Sequence, residues 1–140
     1  MHQRLAFHTF YSSALPVDSY RRHGTRCDVQ YADSPIAQNL QAIAEVLLAD
    51  VGTRIFYTEH GGYDTHANEC PVHPKLWTEL SHGISDFYAD LQEHNASQNV
   101  LMFVFTEFGR RVRDDGSGTD HGSGGQPWLF ETRCGAGCTP

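Results

Sequence analysis

A chain of 140 residues carrying a net charge of −7 has the length of one domain, which buries about 68–70% of its unfolded surface; two separate cores are excluded. With 39% hydrophobic and 19% charged residues, it is neither fibrous nor membrane-embedded, and no apolar run approaches the ~18 residues of a spanning helix. Seventeen acidic against ten basic side chains argue against nucleic acid or an anionic membrane as the main partner.

Residues 1 to about 33 mix aromatic, basic and isolated apolar side chains without a 3.6 or 2.0 period, and are read as a poorly defined segment. Their start, MHQRLAFHTFYSSALPV, lacks the uninterrupted apolar stretch of a secretion signal. At Ser34 the pattern changes. Ser34 is a cap, Pro35 suits a first helical turn, and Ile36, Leu40, Ile43, Ala44, Leu47 and Leu48 recur at helical steps, which predicts a helix over about 35–49. After Gly52, the β-branched and aromatic run Thr53 to Glu59 predicts a strand that stops at His60-Gly61-Gly62.

From Pro74 to about Glu93 an apolar stripe (Leu76, Trp77, Leu80, Ile84, Phe87, Tyr88, Leu91) predicts a second helix. Val100 to Phe105 is a continuous apolar run of strand length, the pattern of a strand covered on both faces in a parallel sheet. Helix, strand, helix, strand predicts an α/β fold with a parallel, right-handed βαβ core and flanking helices. The glycine-rich stretch from Gly109 to Pro140 reads as loop plus a candidate strand, with Pro127 to Phe130 as its one short apolar patch. The expected organisation is therefore a segment over 1–33, an α/β domain over 34–130 and an irregular tail over 131–140. Cys27, Cys70, Cys134 and Cys138 lack paired CxxC spacing and receive no role.

Ligands in a parallel α/β sheet bind outside the carboxyl ends of strands, and two unusual loops begin there. The first runs from His60 to Asn68, the second from Thr106 to Arg111 and on to Gly122. Together they offer Asp64, His66, His73, Glu107, Asp120 and His121, an oxygen and nitrogen set suited to Zn²⁺, Mg²⁺, Mn²⁺ or Ca²⁺. The alternative is that Asp64 forms an Asx turn, His66 and His121 are solvated and Glu107 caps local amides. Arg110 and Arg111 follow the second strand, where one guanidinium could clamp a phosphate, sulfate or carboxylate; salt bridges to Asp114 or Asp115 are the competing role.

The segments Tyr31 to Leu40, Gly61 to Asn68, His73 to Ser81, Thr106 to Arg111 and Gly118 to Gly122 resemble, in this order, the DUF1501 family of uncharacterised bacterial proteins. GGxDTH falls on Gly61 to His66, a downstream family histidine on His73, EFGR on Glu107 to Arg110 and TDHG on Thr119 to Gly122. That family is placed in the alkaline phosphatase and sulfatase superfamily. The resemblance implies a partial alkaline-phosphatase-like sandwich that holds one or two divalent ions at the carboxyl edge of its sheet. By similarity, Asp64 with a nearby histidine serves one metal, and Asp120-His121 matches the superfamily's Asp-His pair. Alternatively Glu107-Phe108-Gly109 takes the Asp-His-Gly place, with Phe108 where a ligand would stand and His121 as the later lone histidine.

The implied chemistry is metal-dependent hydrolysis of phosphate or sulfate esters, with Arg110 on a non-bridging oxygen. The implied substrate is a small anionic ester or a phosphorylated or sulfated saccharide. The superfamily's first metal-binding Asp and its Ser, Thr or modified Cys nucleophile lie upstream of these motifs, outside this chain. Family members are also longer, and many carry a twin-arginine export signal to the periplasm. The expectation is thus a fragment of a truncated or frameshifted gene, binding metal weakly and turning over little. A non-catalytic, metal-stabilised binding or surface protein is the alternative, and a fragment without function a third. The sequence leaves the oligomeric state open.

Overall fold

The computed structural model describes the backbone of residues 4–11 and, in full, residues 28–114 and 116–132. Its elements are β1 (Arg4–Tyr11), α1 (Pro35–Leu48), β2 (Ile55–Gly61), α2 (Glu69–Glu93), a 3-10 turn (Ser97–Asn99), β3 (Val100–Thr106), β4 (Gly109–Asp114), β5 (Thr119–Gly122) and β6 (Trp128–Glu131). The mixed α/β content agrees with the sequence.

α1 begins where its local signals place it. Ser34 accepts a hydrogen bond from the Ala37 amide at 3.4 Å, and Pro35 opens the first turn. Its stripe of Ile36, Ala37, Leu40, Ala44 and Leu47 is buried. α2 starts five residues before the predicted Pro74, which lies inside the helix. The left-handed Asn68 provides no side-chain cap; instead the Glu69 amide donates to the Ser117 carbonyl at 3.2 Å. A cap supplied from a distant turn carries no local signature, so the sequence put the start at the proline.

The expected parallel pairing is corrected. The main sheet has the order β2-β1-β3-β6, and β1 runs antiparallel to both β2 and β3, with Phe7 opposite Thr58 on one side and Val104 on the other. β2 and β3 therefore share a direction and are joined through α2, but β1 lies between them. Residues 4–11, which show no period, form this inner strand. β6 pairs antiparallel with β3, from Leu101 opposite Glu131 to Val104 opposite Trp128. The apolar run of β3 was expected to be covered on both faces; it alternates between buried and half-buried.

Val100, Met102 and Val104 of β3 and Phe56 of β2 join Ile36, Leu40, Leu80, Phe87 and Leu91 of the helices in one buried cluster. Each such side chain stabilises the fold by roughly 1.5–3 kcal/mol relative to exposure. On the opposite sheet face the Phe103 and Phe105 rings stack at 5.3 Å, and Ile55, Tyr57 and Leu129 are exposed. The glycine-rich stretch, read as loop, is a second sheet. β4 and β5 form a hairpin with Arg110 opposite His121 and an irregularity before Asp114 opposite Thr119. None of the described helices is long and apolar enough to cross a membrane. Of the cysteines, Cys70 is a free, exposed thiol, and Cys27, Cys134 and Cys138 lie outside the described residues, as does Asp115.

Candidate metal centre

The site forms where the loop after β2 meets the β4–β5 hairpin. Gly62, at φ 98°, takes a left-handed conformation that side chains resist, turning the chain out of β2. Tyr63 then returns to the core at 5% exposure. Its hydroxyl is 3.1 Å from Nδ1 of the buried His60, and its ring meets Trp77 edge-on at 5.3 Å. Burial holds the Tyr63 hydroxyl far above its ordinary value and His60 below its own, with Glu79 partly offsetting the latter. The residue after this anchor, Asp64, is thereby aimed at the hairpin.

Three candidates converge there. Single ligand atoms of Asp64, His66 and His121 all lie within 4.8 Å of one another. His121 Nε2 donates to Asp64 Oδ1 at 2.7 Å, and His66 Nε2 is 3.3 Å from the same oxygen. The hydrogen bond from His121 is the main reason the Asp64 carboxyl sits below its ordinary value, and the charges of His121, His66 and Arg110 add to it. Asp120 stands behind: its Oδ1 is 3.1 Å from His66 Nδ1, and its Oδ2 is 3.8 Å from Arg111 Nη1. A carboxylate on Nδ1 leaves Nε2 as the ligand nitrogen, the usual arrangement around a metal-binding imidazole. Phe108 stacks on His121 at 4.6 Å and fixes its ring from the other side.

The donor set fits a borderline divalent ion. Two imidazoles and one carboxylate suit Zn²⁺ and first-row transition ions better than the all-oxygen preference of Mg²⁺ and Ca²⁺. Tetrahedral zinc with ligands at about 2.0–2.1 Å spaces its donors about 3.3–3.4 Å apart; His66 Nε2 and Asp64 Oδ1 stand at 3.3 Å, whereas His121 Nε2, hydrogen-bonded to the same oxygen at 2.7 Å, is closer than that spacing. Asp64 and His66 are exposed and His121 half-buried. Neither described cleft is lined by the three.

The remaining sequence candidates stand elsewhere. Glu107 is exposed and outside the cluster. His73 lies on α2, with Nε2 2.8 Å from Thr65 Oγ1 and Nδ1 3.4 Å from Glu69 Oε1. Arg110 is 17% exposed and 3.7 Å from Glu69. Its guanidinium donates to the carbonyls of Tyr63, Thr65 and Thr119 and to Thr119 Oγ1. It therefore ties together the backbone on both sides of Asp64 and the residue before Asp120, while Glu69 Oε2 accepts from the Thr119 amide at 2.8 Å. Gly118 permits this closure, since a Cβ there would sit 2.9 Å from the His66 carbonyl oxygen.

Sequence reasoning passed over Glu69 and the Thr65 hydroxyl. The i,i+4 spacing of Glu69 and His73 is a helical signal, hidden once the helix was started at Pro74. A family model described as "Protein of unknown function (DUF1501)" matches residues 18–137. No curated protein and no solved structure matches the chain.

Proposed function

From the chain's membership of the DUF1501 family, whose function is unknown, we propose that this protein binds one divalent transition ion, zinc or manganese, and hydrolyses phosphate or sulfate esters. The convergence of Asp64, His66 and His121 from two separate segments is the observation that carries this reading. Asp64, His66 and His121 hold the ion, Asp120 orients His66, Phe108 orients His121, and Arg110 fixes the loop to the hairpin. When bound, the ion polarises the ester and neutralises developing negative charge. The ionised Asp64 presents a ready ligand oxygen, and three protein ligands leave a coordination position for substrate or water. The superfamily resemblance of the GGxDTH and TDHG segments agrees with this chemistry.

Hydrolysis of 4-nitrophenyl phosphate and 4-nitrophenyl sulfate by zinc- or manganese-loaded protein tests the proposal. Turnover of either ester that disappears in Asp64→Ala supports it. Equal rates in wild type and Asp64→Ala, with metal bound to the wild type, remove the hydrolase part.

A second reading is favoured by the exposure of Asp64 and His66 and by their absence from the described clefts. The ion then acts as a staple between the β2 loop and the hairpin, in a non-catalytic binding protein. Metal-dependent stabilisation without turnover of either ester selects this reading.

A further inference from the structure

The helix α2 does not close completely over β3 and β6. Between them lies an open cleft of about 380 Å³, walled by Trp77, Leu80 and Ile84 of the helix, Val104 of β3 and Trp128 and Phe130 of β6. Small-molecule sites have volumes of about 300–1,000 Å³ and mainly aliphatic and aromatic walls with few polar groups. The polar groups here are the hydroxyls of Ser81 and Ser85, and that of Ser81 is already committed to the Trp77 carbonyl at 2.7 Å. The walls are held in place. Trp77 and Trp128 meet edge to face at 5.2 Å, and the Tyr88 hydroxyl donates to the Phe130 carbonyl at 2.8 Å, which pins β6 to α2.

The same two tryptophans are walls of a second cleft, of about 200 Å³, which Glu69, His73, Phe108 and Arg110 also line. The clefts therefore adjoin at the tryptophan pair, as a groove with one apolar and one polar end. Asp64, His66 and His121 do not line it, but the polar end reaches their supports. Phe108 stacks on His121 at 4.6 Å, and Arg110 donates to the carbonyls on either side of Asp64. An occupant that fits both ends is amphipathic, with its polar group toward the metal candidates and its apolar group past the tryptophans. Arg110 and Glu69 oppose each other at 3.7 Å, so apolar length, more than charge, governs what the groove selects.

We propose that this groove binds the alcohol portion of the substrate, and that this portion is an alkyl or aryl group long enough to pass Trp77 and Trp128. The inference rests on the ester-hydrolase reading and deepens it by naming the substrate class. Affinity then grows with the apolar surface removed from water, by about fourfold for each buried methylene.

The chain has two tryptophans, and both stand in this groove, so their indole N–H signals in NMR spectra report its occupancy. Zinc-loaded protein is titrated with methyl, butyl, hexyl and octyl phosphate below their micelle concentrations, and release of inorganic phosphate is followed in parallel. Octyl phosphate should shift both indole signals, and the dissociation constant should fall about fourfold per methylene from butyl to octyl. Ser85→Phe, which fills the cleft from an exposed position on α2, should weaken octyl phosphate binding by about tenfold or more, a loss of about 1.4 kcal/mol. Ser81→Phe should do the same from one turn earlier. Circular dichroism shows which variants fold, and either one suffices.

Affinity that is independent of chain length, or undiminished in a folded variant, overturns the inference. Broadening of both indole signals with protein concentration, unrelieved by octyl phosphate, overturns it in favour of a second copy of the chain. Chain-length-dependent binding without phosphate release leaves the groove standing and removes the hydrolase reading. Phosphate release at equal rates from methyl and octyl phosphate, with unshifted indole signals, overturns the groove and leaves the hydrolase reading standing.

Discussion

Asp120 and Arg110 separate two ways in which a residue would support the proposed metal centre without touching the ion. Asp120 acts on one imidazole, through Nδ1 of His66 at 3.1 Å. Its replacement by Ala should weaken zinc binding about 10–100-fold, the usual cost of losing such an outer partner, with little change in melting temperature because the contact is exposed. Calorimetric titration of Asp120→Ala checks this. Arg110 instead holds backbone, and its fork cannot be reproduced by an ammonium group. Arg110→Lys should weaken zinc binding and also lower stability, by about 1–3 kcal/mol for the unsatisfied carbonyls left behind, read by denaturant unfolding. The two loops and their ligand-type residues were legible in the sequence, because Asp64, His66 and His121 sit in glycine-rich stretches that follow strands. The grouping was not: His73 and Glu107 looked equivalent to them, and only the turn of α2 toward Thr65 takes His73 away.

At the scale of elements, legibility followed the reach of the interactions. α1 carries its own cap, proline and apolar stripe, and its predicted bounds differ from the observed ones by about a residue. The start of α2 depends on Ser117, and the direction of β1 depends on two partners far along the chain; neither reaches the local pattern. The hairpin was hidden by its glycines and charged residues, which read as loop until Arg110 is seen opposite His121. One element shows a pH response. Burial keeps His60 on β2 below its ordinary value, so near pH 6.5 the unfolded chain takes up a proton that the folded chain refuses. Stability contributed by this group is complete above that pH and is lost as the pH falls through and below it. His60→Gln should remove that part of the pH slope, measured by unfolding at pH 5, 6 and 7. An unchanged slope would show that His60 titrates alike in both states.

For the whole molecule, one buried cluster spans both helices and the sheet, so the fold should unfold as a unit. Met102, fully buried on β3, should cost about 2–5 kcal/mol when replaced by Ala, and loss of the hairpin and helix signals should coincide on heating. The proposed metal site belongs to this scale because its candidate ligands Asp64, His66 and His121 come from two segments brought together only by the tertiary structure. An ion that binds the folded chain alone should stabilise it by about 2.7 kcal/mol at a hundred times its dissociation constant. The sequence showed an α/β chain and the loops on which to look; the antiparallel insertion of β1 and the separate hairpin sheet required the assembled fold.

The most direct measurement is a calorimetric titration of zinc into the wild-type chain and into Asp64→Ala and His121→Ala. The expected result is one ion per wild-type chain, with binding lost in both variants while each remains folded. A folded wild type that takes up no zinc, or variants that bind it as tightly as the wild type, would contradict the assignment of Asp64, His66 and His121 as a metal centre.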